Sequence, residues 1–307
     1  MKIYTITLNP AYDVHAYAEH FAPFHENLAN VTSREAGGKG VNLSRALQNG
    51  GTENTAIVVL GKDNCTEFKE ELAKAGVTAL FLEKPGRIRE NLTLHCADAP
   101  ETRISFSGFP ADDSLLTEVA ELMEVDEETV ITFTGRVASG MSMEKVKGFL
   151  KDLQKQGAKI VLDSKSFSLE DIFEVAPWLI KPNQEEISEY LNCPIHTIEE
   201  AMEKARIFAQ HGVVNVMVSL GEQGAMLLNR DNCYIAKPPV INAISTIGAG
   251  DSSLAGFVAA AKRGEDPAGC LKNAVTYGTA ACMTEGTLPP TAEDIAAIYP
   301  QVEIKSF

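Results

Sequence analysis

The chain has 307 residues, of which 45% are hydrophobic and 22% charged, and its formal net charge is −15. This acidity disfavours nucleic acid or an anionic membrane as a partner, because both need a basic surface, but it permits a small anionic substrate in a local basic pocket. No apolar run approaches the ~20 residues of a membrane span, and the N-terminus lacks a signal-peptide pattern. Six scattered cysteines contain no C-x-x-C pair. We therefore expect a cytoplasmic protein with free thiols.

Short apolar runs alternate with longer amphipathic segments along the chain. The apolar runs predict strands at 2–8, 55–60, 129–134, 158–162, 178–181 and 213–219. Apolar spacings of three and four predict helices at 40–49, 64–75, 113–124, 143–156, 184–191, 198–211, 251–263, 267–283 and 291–298. This order predicts an α/β fold with a mostly parallel sheet covered by helices on both faces.

Two stretches break this rhythm, at about 11–35 and 86–108. Both contain short polar-alternating segments, such as Arg89–Cys96. Since each lies between core elements, they are expected to come together as a small separate β-sheet. The chain has no low-complexity linker and no internal repeat. The sequence therefore predicts a single domain over 1–307 with an inserted lid.

The segment 246–257 carries the strongest chemical signal. Gly248, Ala249 and Gly250 stand immediately before Asp251, and a helical pattern follows. Small residues leave backbone N–H groups uncovered, and the first turn of a helix attracts anions. A carboxylate there can accept a proton from a group beside the anion. This combination is what phosphoryl transfer to a hydroxyl requires.

A second glycine-rich segment opens the first strong helix. Gly37 and Gly38 permit close backbone approach to a ligand, Lys39 offers a cation, and Asn42 offers hydrogen bonds to sugar hydroxyls. The alternative interpretation is a glycine-rich turn and helix cap.

Oxygen-bearing side chains follow two predicted strands. Asn183 is a natural N-cap and Glu186 lies three residues later, which fits a capping box. The alternative is a magnesium site at the strand ends, which Asp163 after the neighbouring strand would join.

A further loop follows the strand that ends at Ser219. Gly221 and Gly224 fit either a plain hairpin turn or a loop that exposes N–H groups to nucleotide phosphates.

Cationic residues concentrate near the expected lid: Lys39, Arg87, Arg89, Arg103 and Arg136. Arginine binds phosphate as a planar fork. Neither a P-loop nor a dinucleotide G-x-G-x-x-G motif is found in the sequence.

The order of these motifs is more specific than any one of them. The segments 7–13, 37–42, 181–186, 219–221 and 248–251 follow one another as in the ribokinase-like (PfkB-type) carbohydrate kinases, which the chain resembles over essentially its whole length. The opening Leu-Asn-Pro-Ala-x-Asp is similar to the branch that acts on phosphorylated ketohexoses.

This resemblance implies a three-layer α/β/α core with a β-sheet lid, a homodimer formed through that lid, and ATP and Mg²⁺ as cosubstrate and metal. It implies a catalytic base at Asp251 with an anion hole at Gly248, Ala249 and Gly250. The acceptor is expected at Asp13, Gly37, Gly38, Lys39, Asn42, Arg89 and Arg136. ATP is expected at Lys181, Asn183, Ser219, Gly221 and Gly224, and Mg²⁺ at Asp163, Asn183 and Glu186 through water.

One position departs from this branch. Arg136 stands where the branch usually has a small hydroxyl residue, in a loop that here reads Thr134–Gly140. Fructose 1-phosphate is the favoured acceptor, to give fructose 1,6-bisphosphate, and tagatose 6-phosphate or fructose 6-phosphate is the alternative. A nucleoside kinase would leave the arginines unexplained. A non-catalytic sugar-phosphate sensor is the alternative from another class.

Overall fold

The computed structural model describes residues 1–98, 101–230 and 232–307. Its strands are β1 (Lys2–Thr7), β2 (Ala11–Ala18), β3 (Asn30–Gly37), β4 (Thr55–Gly61), β5 (Ala79–Lys84), β6 (Arg89–Cys96), β7 (Thr102–Ser105), β8 (Thr129–Thr134), β9 (Lys159–Asp163), β10 (Leu179–Ile180), β11 (Asn215–Ser219), β12 (Ala225–Asn229), β13 (Asn232–Lys237) and β14 (Glu303–Ser306). Its helices are α1 (Lys39–Asn49), α2 (Cys65–Lys74), α3 (Ser114–Glu121), α4 (Met143–Lys155), α5 (Leu169–Val175), α6 (Gln184–Leu191), α7 (Ile198–Gln210), α8 (Ala249–Lys262), α9 (Pro267–Ala281) and α10 (Ala292–Ile298).

The large sheet has the strand order β14-β13-β12-β11-β10-β9-β8-β1-β4-β5. The strands from β11 to β5 pair in parallel, while β11 to β14 pair antiparallel. Successive side chains of a strand point to opposite faces. In β9, for example, Ile160 and Leu162 enter one core and Val161 enters the other. Both faces of the sheet are therefore apolar.

Helices cover both of these faces. The core on one face contains apolar side chains of α3, α4, α5, α6 and α7. The cores on the other face contain those of α1, α2, α8, α9 and α10. The expected three-layer α/β/α arrangement is confirmed. The sequence missed the seven-residue helix α5 and the strands β5 and β12 to β14, which lie toward the two edges of the sheet.

The two stretches that break the rhythm form a second, four-stranded sheet with the order β3-β2-β6-β7. Strand β2 pairs antiparallel with β3 and parallel with β6, which in turn pairs antiparallel with β7. The prediction of a small separate sheet from 11–35 and 86–108 is confirmed, and we call it the small sheet. Within the described residues, no helix is long and apolar enough to cross a membrane.

The helix that begins at the predicted anion hole is fixed by its contact with α9. At Gly256 a Cβ atom would lie 2.8 Å from the carbonyl carbon of Asn273 and 2.9 Å from Tyr277. Backbone atoms cannot move aside for a methyl group at such distances. The glycine therefore sets how closely α8 and α9 pack.

We expect Gly256→Ala to destabilise the fold by about 1–3 kcal/mol, because it overpacks this contact. Gly148→Ala is the matched control: Gly148 is also helical, and a Cβ there meets nothing within 4 Å. Helix propensity should make the control more stable by about 0.5–1 kcal/mol. Urea denaturation of both variants checks this, and equal stabilities would contradict it.

Candidate active site

A cleft of about 530 Å³ lies between the carboxyl ends of the central strands and the small sheet. Its volume is in the range of small-molecule sites, which lie at this edge of open α/β sheets. Its lining includes Asp13, Gly38, Lys39, Asn42, Arg89, Asn91, Arg103, Arg136, Asp163, Lys181, Asn183, Thr246, Gly248, Gly250 and Asp251. The structure thus brings together most of the residues that the sequence selected.

Helix α8 begins at the floor of this cleft. Gly248 adopts a left-handed conformation (φ 80°), and Ala249 and Gly250 form the first turn with Asp251. Free N–H groups of such a turn bind anions. Asp251 is buried, and the side-chain nitrogen of Asn42 donates a hydrogen bond to its Oδ2 at 3.1 Å. The sequence assigned Asn42 to sugar hydroxyls; its side-chain nitrogen lies on this carboxylate, and its Oδ1 has no hydrogen-bond partner among the described residues.

Burial raises the pKa of Asp251 to about 6, and nearby Asp163 adds to the rise. Lys39, Lys181 and the hydrogen bond from Asn42 act in the opposite direction. A carboxylate with a pKa near the working pH is suited to general-base catalysis. Asp251 would therefore be ionised at pH 7 and still be able to take a proton.

Two lysines flank a second buried carboxylate beside Asp251. Lys39 Nζ lies 2.9 Å from Asp163 Oδ1, and Lys181 Nζ lies 3.8 Å from Asp163 Oδ2. Although burial opposes its ionisation, Lys181 and Lys39 hold the pKa of Asp163 below its ordinary value. A Cβ atom at Gly250 would lie 3.0 Å from Lys181 Nζ. A lysine charge therefore stands directly over the first turn of α8.

The glycine-rich segment before α1 lets the backbone pass close to Asp13. A Cβ at Gly37 would lie 3.0 Å from Cγ of Asp13 and closer still to its Oδ2. Gly38 has a φ of 121°, which favours glycine, and it precedes the first residue of α1. These glycines let the Asp13 carboxylate lie close to the N-terminus of α1. Lys39, the next residue, lines the cleft.

Three arginines line the part of the cleft that faces the small sheet. Arg89 is on β6, Arg103 is on β7, and Arg136 follows β8. Arg103 Nη2 lies 3.5 Å from Asp13 Oδ1, and no carboxylate of the described residues lies within 4 Å of Arg89 or Arg136. Burial lowers the pKa of Arg89, and the charges of Arg136 and Arg103 lower it further against the opposing effect of Asp13. This is a site of excess positive charge.

Two residues of this region, Arg103 and Asn91, were not among the site residues predicted from the sequence. Arg103 was seen only as one of several cations, and Asn91 was not noticed. The available signal was their spacing: Asn91 is two residues from Arg89 on one strand, and residues two apart share a face. Conversely, Arg87 was grouped with the other cations, but it does not line the cleft. It is exposed, and its backbone forms an antiparallel β-bridge with that of Lys62.

The capping-box interpretation of 183–186 is confirmed. Asn183 Oδ1 accepts a hydrogen bond from the Glu186 N–H at 2.7 Å, and Glu186 Oε2 accepts one from the Asn183 N–H at 3.1 Å. Glu186 borders a smaller cavity that shares Asp163 and Lys181 with the cleft. In the described parts of the chain, no group of three His, Cys, Asp or Glu side chains could hold a metal ion.

Ser219, Gly221 and Gly224 do not line the cleft. They belong to the tight connection of the antiparallel β11–β12 pair, so the hairpin-turn interpretation is correct for the backbone. The Ser219 N–H donates to the carbonyl of Pro182 at 3.0 Å, next to Asn183. A Cβ at Gly224 would lie 2.8 Å from Pro238, which gives this glycine a packing reason.

Comparison with known proteins agrees with this geometry. The model of the pfkB family carbohydrate kinases matches residues 6–294. A 1-phosphofructokinase of Escherichia coli K12 is 30% identical over 310 residues, which cover 100% of this chain and 99% of that protein. A 1-phosphofructokinase of Bacillus subtilis is 28% identical over 98% of this chain and 99% of its own length.

A solved structure has the same fold. Phosphofructokinase-2 from Escherichia coli, in complex with substrates and products, superposes with a TM-score of 0.91 at 26% identity and covers 98% of this chain and 99% of that one. The family resemblance and the ribokinase-like fold expected from the motifs are thereby confirmed. The chain belongs to the pfkB family of carbohydrate kinases and is an ATP-dependent phosphotransferase.

Proposed function

We propose that this enzyme transfers the γ-phosphoryl group of ATP to a hydroxyl of a ketohexose monophosphate, with fructose 1-phosphate as the acceptor and fructose 1,6-bisphosphate as the product. The observation that carries this proposal is that one cleft holds a buried carboxylate at a helix N-terminus, Asp251, together with three arginines. The first is suited to phosphoryl transfer and the second to an acceptor that already bears a phosphate.

The charges support a phosphorylated acceptor. The cleft-lining cations Lys39, Arg89, Arg103, Arg136 and Lys181 outnumber the cleft-lining carboxylates, in a chain whose net charge is −15. The Nε of Arg89 is buried and has no hydrogen-bond partner among the described residues. A neutral sugar would leave these groups uncompensated, whereas a phosphate would pair with them.

The names of the relatives favour fructose 1-phosphate. Several of the similar curated proteins are 1-phosphofructokinases. An ATP-dependent 6-phosphofructokinase isozyme 2 of Escherichia coli is also similar, at 27% identity. Fructose 6-phosphate and tagatose 6-phosphate are therefore the competing acceptors, and a non-catalytic sensor is disfavoured because Asp251, Asn183 and Glu186 are all retained.

The proposed chemistry follows from the positions of the groups. The hydroxyl oxygen of the acceptor attacks the γ-phosphorus while Asp251 accepts the hydroxyl proton. The bond between the γ-phosphorus and the bridging oxygen breaks, and ADP leaves. Asn42 orients the carboxylate. Backbone N–H groups at Gly248–Gly250 and the Lys181 ammonium compensate the charge on the transferred group. The Asp13 carboxylate accepts hydrogen bonds from the sugar hydroxyls.

Magnesium would be held mainly by phosphate oxygens and water, as is usual for kinases. Asp163 and Glu186 fit this role. Among the described residues, Asp163 Oδ2 is buried with no hydrogen-bond partner, and Glu186 Oε1 has only the exposed Lys165 nearby, at 3.4 Å. When bound, the ion would neutralise charge on the β- and γ-phosphates. We assign Ser219, which forms a parallel β-bridge with Asn183, and Gly221 and Gly224 of the turn that follows it to the nucleotide end of ATP.

We further propose a homodimer through the small sheet, in the cytoplasm. Six large apolar side chains in the small sheet and its connections are exposed: Tyr17, Phe24, Leu28, Val31, Ile104 and Phe106. Exposed apolar patches of this kind mark protein interfaces.

A coupled assay for ADP with a panel of free and phosphorylated sugars tests the function. Fructose 1-phosphate should give the highest kcat/KM, and free sugars the lowest. Arg136→Ser should raise KM for the phosphorylated acceptor by ~10- to 100-fold, the value of one charged hydrogen bond or two. Arg87→Ser, which removes a cation outside the cleft, is the control. If no sugar phosphate stimulates ADP release, the proposal is wrong.

The pH dependence tests the role of Asp251. Its pKa of about 6 lies above the ordinary 3.8, so the base is protonated at low pH. The kcat/KM should therefore fall about tenfold for each pH unit below 6. A sugar phosphate ionises near the same pH, so a variant is needed to assign this limb.

Asn42→Leu provides that assignment, since it removes the hydrogen bond that favours the ionised carboxylate. The acid limb should move to higher pH in this variant, whereas ionisation of the substrate would leave it in place. An unmoved limb would contradict the assignment of Asp251 as the titrating base.

The dimer is tested by the molar mass in solution. Leu28→Asp should shift light scattering from the dimer mass to the monomer mass, because it places a charge on the proposed apolar interface. Val214→Asp is the control, since Val214 is a partly exposed apolar residue outside the small sheet. A monomeric unaltered enzyme would refute this interface.

A further inference from the structure

The side chain of Asn91 joins two groups to which we have assigned different parts of the acceptor. Its Oδ1 accepts a hydrogen bond from Arg89 Nη1 at 2.6 Å, and its Nδ2 donates one to Asp13 Oδ1 at 2.8 Å. Asn91 and Asp13 are both buried. A cation and an anion are thus linked through a single amide.

The sheet register produces this link. Asp13 on β2 stands opposite Asn91 on β6, and Arg89 lies two residues before Asn91 on the same strand face. The amide orientation is fixed by its neighbours, because the reverse orientation would turn NH₂ toward the guanidinium and C=O toward the carboxylate. An asparagine is suited to this position since it has both a donor and an acceptor.

The other contacts of Asp13 and Arg89 are weaker than their hydrogen bonds to Asn91. Arg103 Nη2 is 3.5 Å from the same Asp13 oxygen, and the Arg103 side chain is half-exposed. It therefore supplies positive charge but does not fix the orientation of the Asp13 carboxylate. Within the part of the chain that the structure describes, Arg89 has one other hydrogen bond, a long one of 3.4 Å to the carbonyl of Phe106. The amide is therefore the main restraint on both groups.

We propose that Asn91 is a positioning residue that couples recognition of the acceptor's phosphate to recognition of its hydroxyls. It holds Arg89 for the phosphate and Asp13 for the sugar before either is bound, which lowers the ordering cost of binding. This inference rests on the proposed function, because it takes the assignments of Arg89 and Asp13 from it.

The test is steady-state kinetics of Asn91→Leu and Asn91→Asp with fructose 1-phosphate and ATP. Leucine removes both hydrogen bonds, and aspartate keeps an acceptor for Arg89 while facing Asp13 with a like charge. Both variants should raise KM for the acceptor by ~10- to 100-fold, the range for hydrogen bonds to charged groups. The KM for ATP should stay within about twofold and kcat within about threefold of the unaltered enzyme, since these depend on the other side of the cleft.

Thr93→Val is the matched control. Thr93 is the next inward residue on β6, is equally buried, and does not line the cleft. It should leave all three constants unchanged. Asn91→Asp is close to isosteric and provides the measurement if Asn91→Leu does not fold.

A double-mutant cycle separates positioning from simple stabilisation. In an Arg89→Leu background, Asn91→Leu should raise the acceptor KM by a smaller factor than in the unaltered enzyme, because half of its effect acts through Arg89. Equal factors in both backgrounds, or parallel changes in the KM for ATP, would overturn the inference. If the unaltered chain acts on no sugar phosphate, the proposed function falls as well; normal activity with an unchanged acceptor KM in the variants refutes the coupling alone.

Discussion

The arrangement of the cleft depends on one buried charge, the carboxylate of Asp251 at the first turn of α8. Removing a charge from water is costly unless other groups compensate it. Here the compensation comes from the amide of Asn42 and from two lysines, which are shared with a second buried carboxylate, Asp163. The balance still opposes ionisation of Asp251, and its pKa is raised to about 6. A carboxylate with such a pKa is suited to the general-base role that we propose for Asp251.

This arrangement depends on elements that are distant in sequence. Asn42 and Asp251 are 209 residues apart, and Lys39 and Asp163 are 124 apart. A parallel sheet brings the carboxyl ends of its strands to one edge, where the helices that follow also begin. Helix packing sets the remaining distances, since Gly256 lets α8 approach α9 and Gly250 leaves room for Lys181. The charges proposed to act in catalysis therefore lie on, or directly after, helices and strands of the core.

The small sheet completes the cleft with a different kind of chemistry. The core supplies the groups proposed for phosphoryl transfer, while the small sheet supplies Asp13, Arg89, Asn91 and Arg103, with Arg136 opposite. In the proposed function, selection of the acceptor and transfer of the phosphoryl group therefore fall to separate layers.

The sequence by itself determined the α/β class, the central strands, the small sheet and the motif that contains Asp251, because periodicity, glycine placement and helix starts are local properties. It could not assign partners. The hydrogen bond from Asn42 to Asp251 and the pairing of Lys39 with Asp163 were not predicted, and Asn91 was given no role. A hydrogen bond between β2 and β6 depends on strand register, which is set only when the whole sheet packs. Only the tertiary structure decided which charges meet in the cleft, because residues far apart in the chain become neighbours through folding alone.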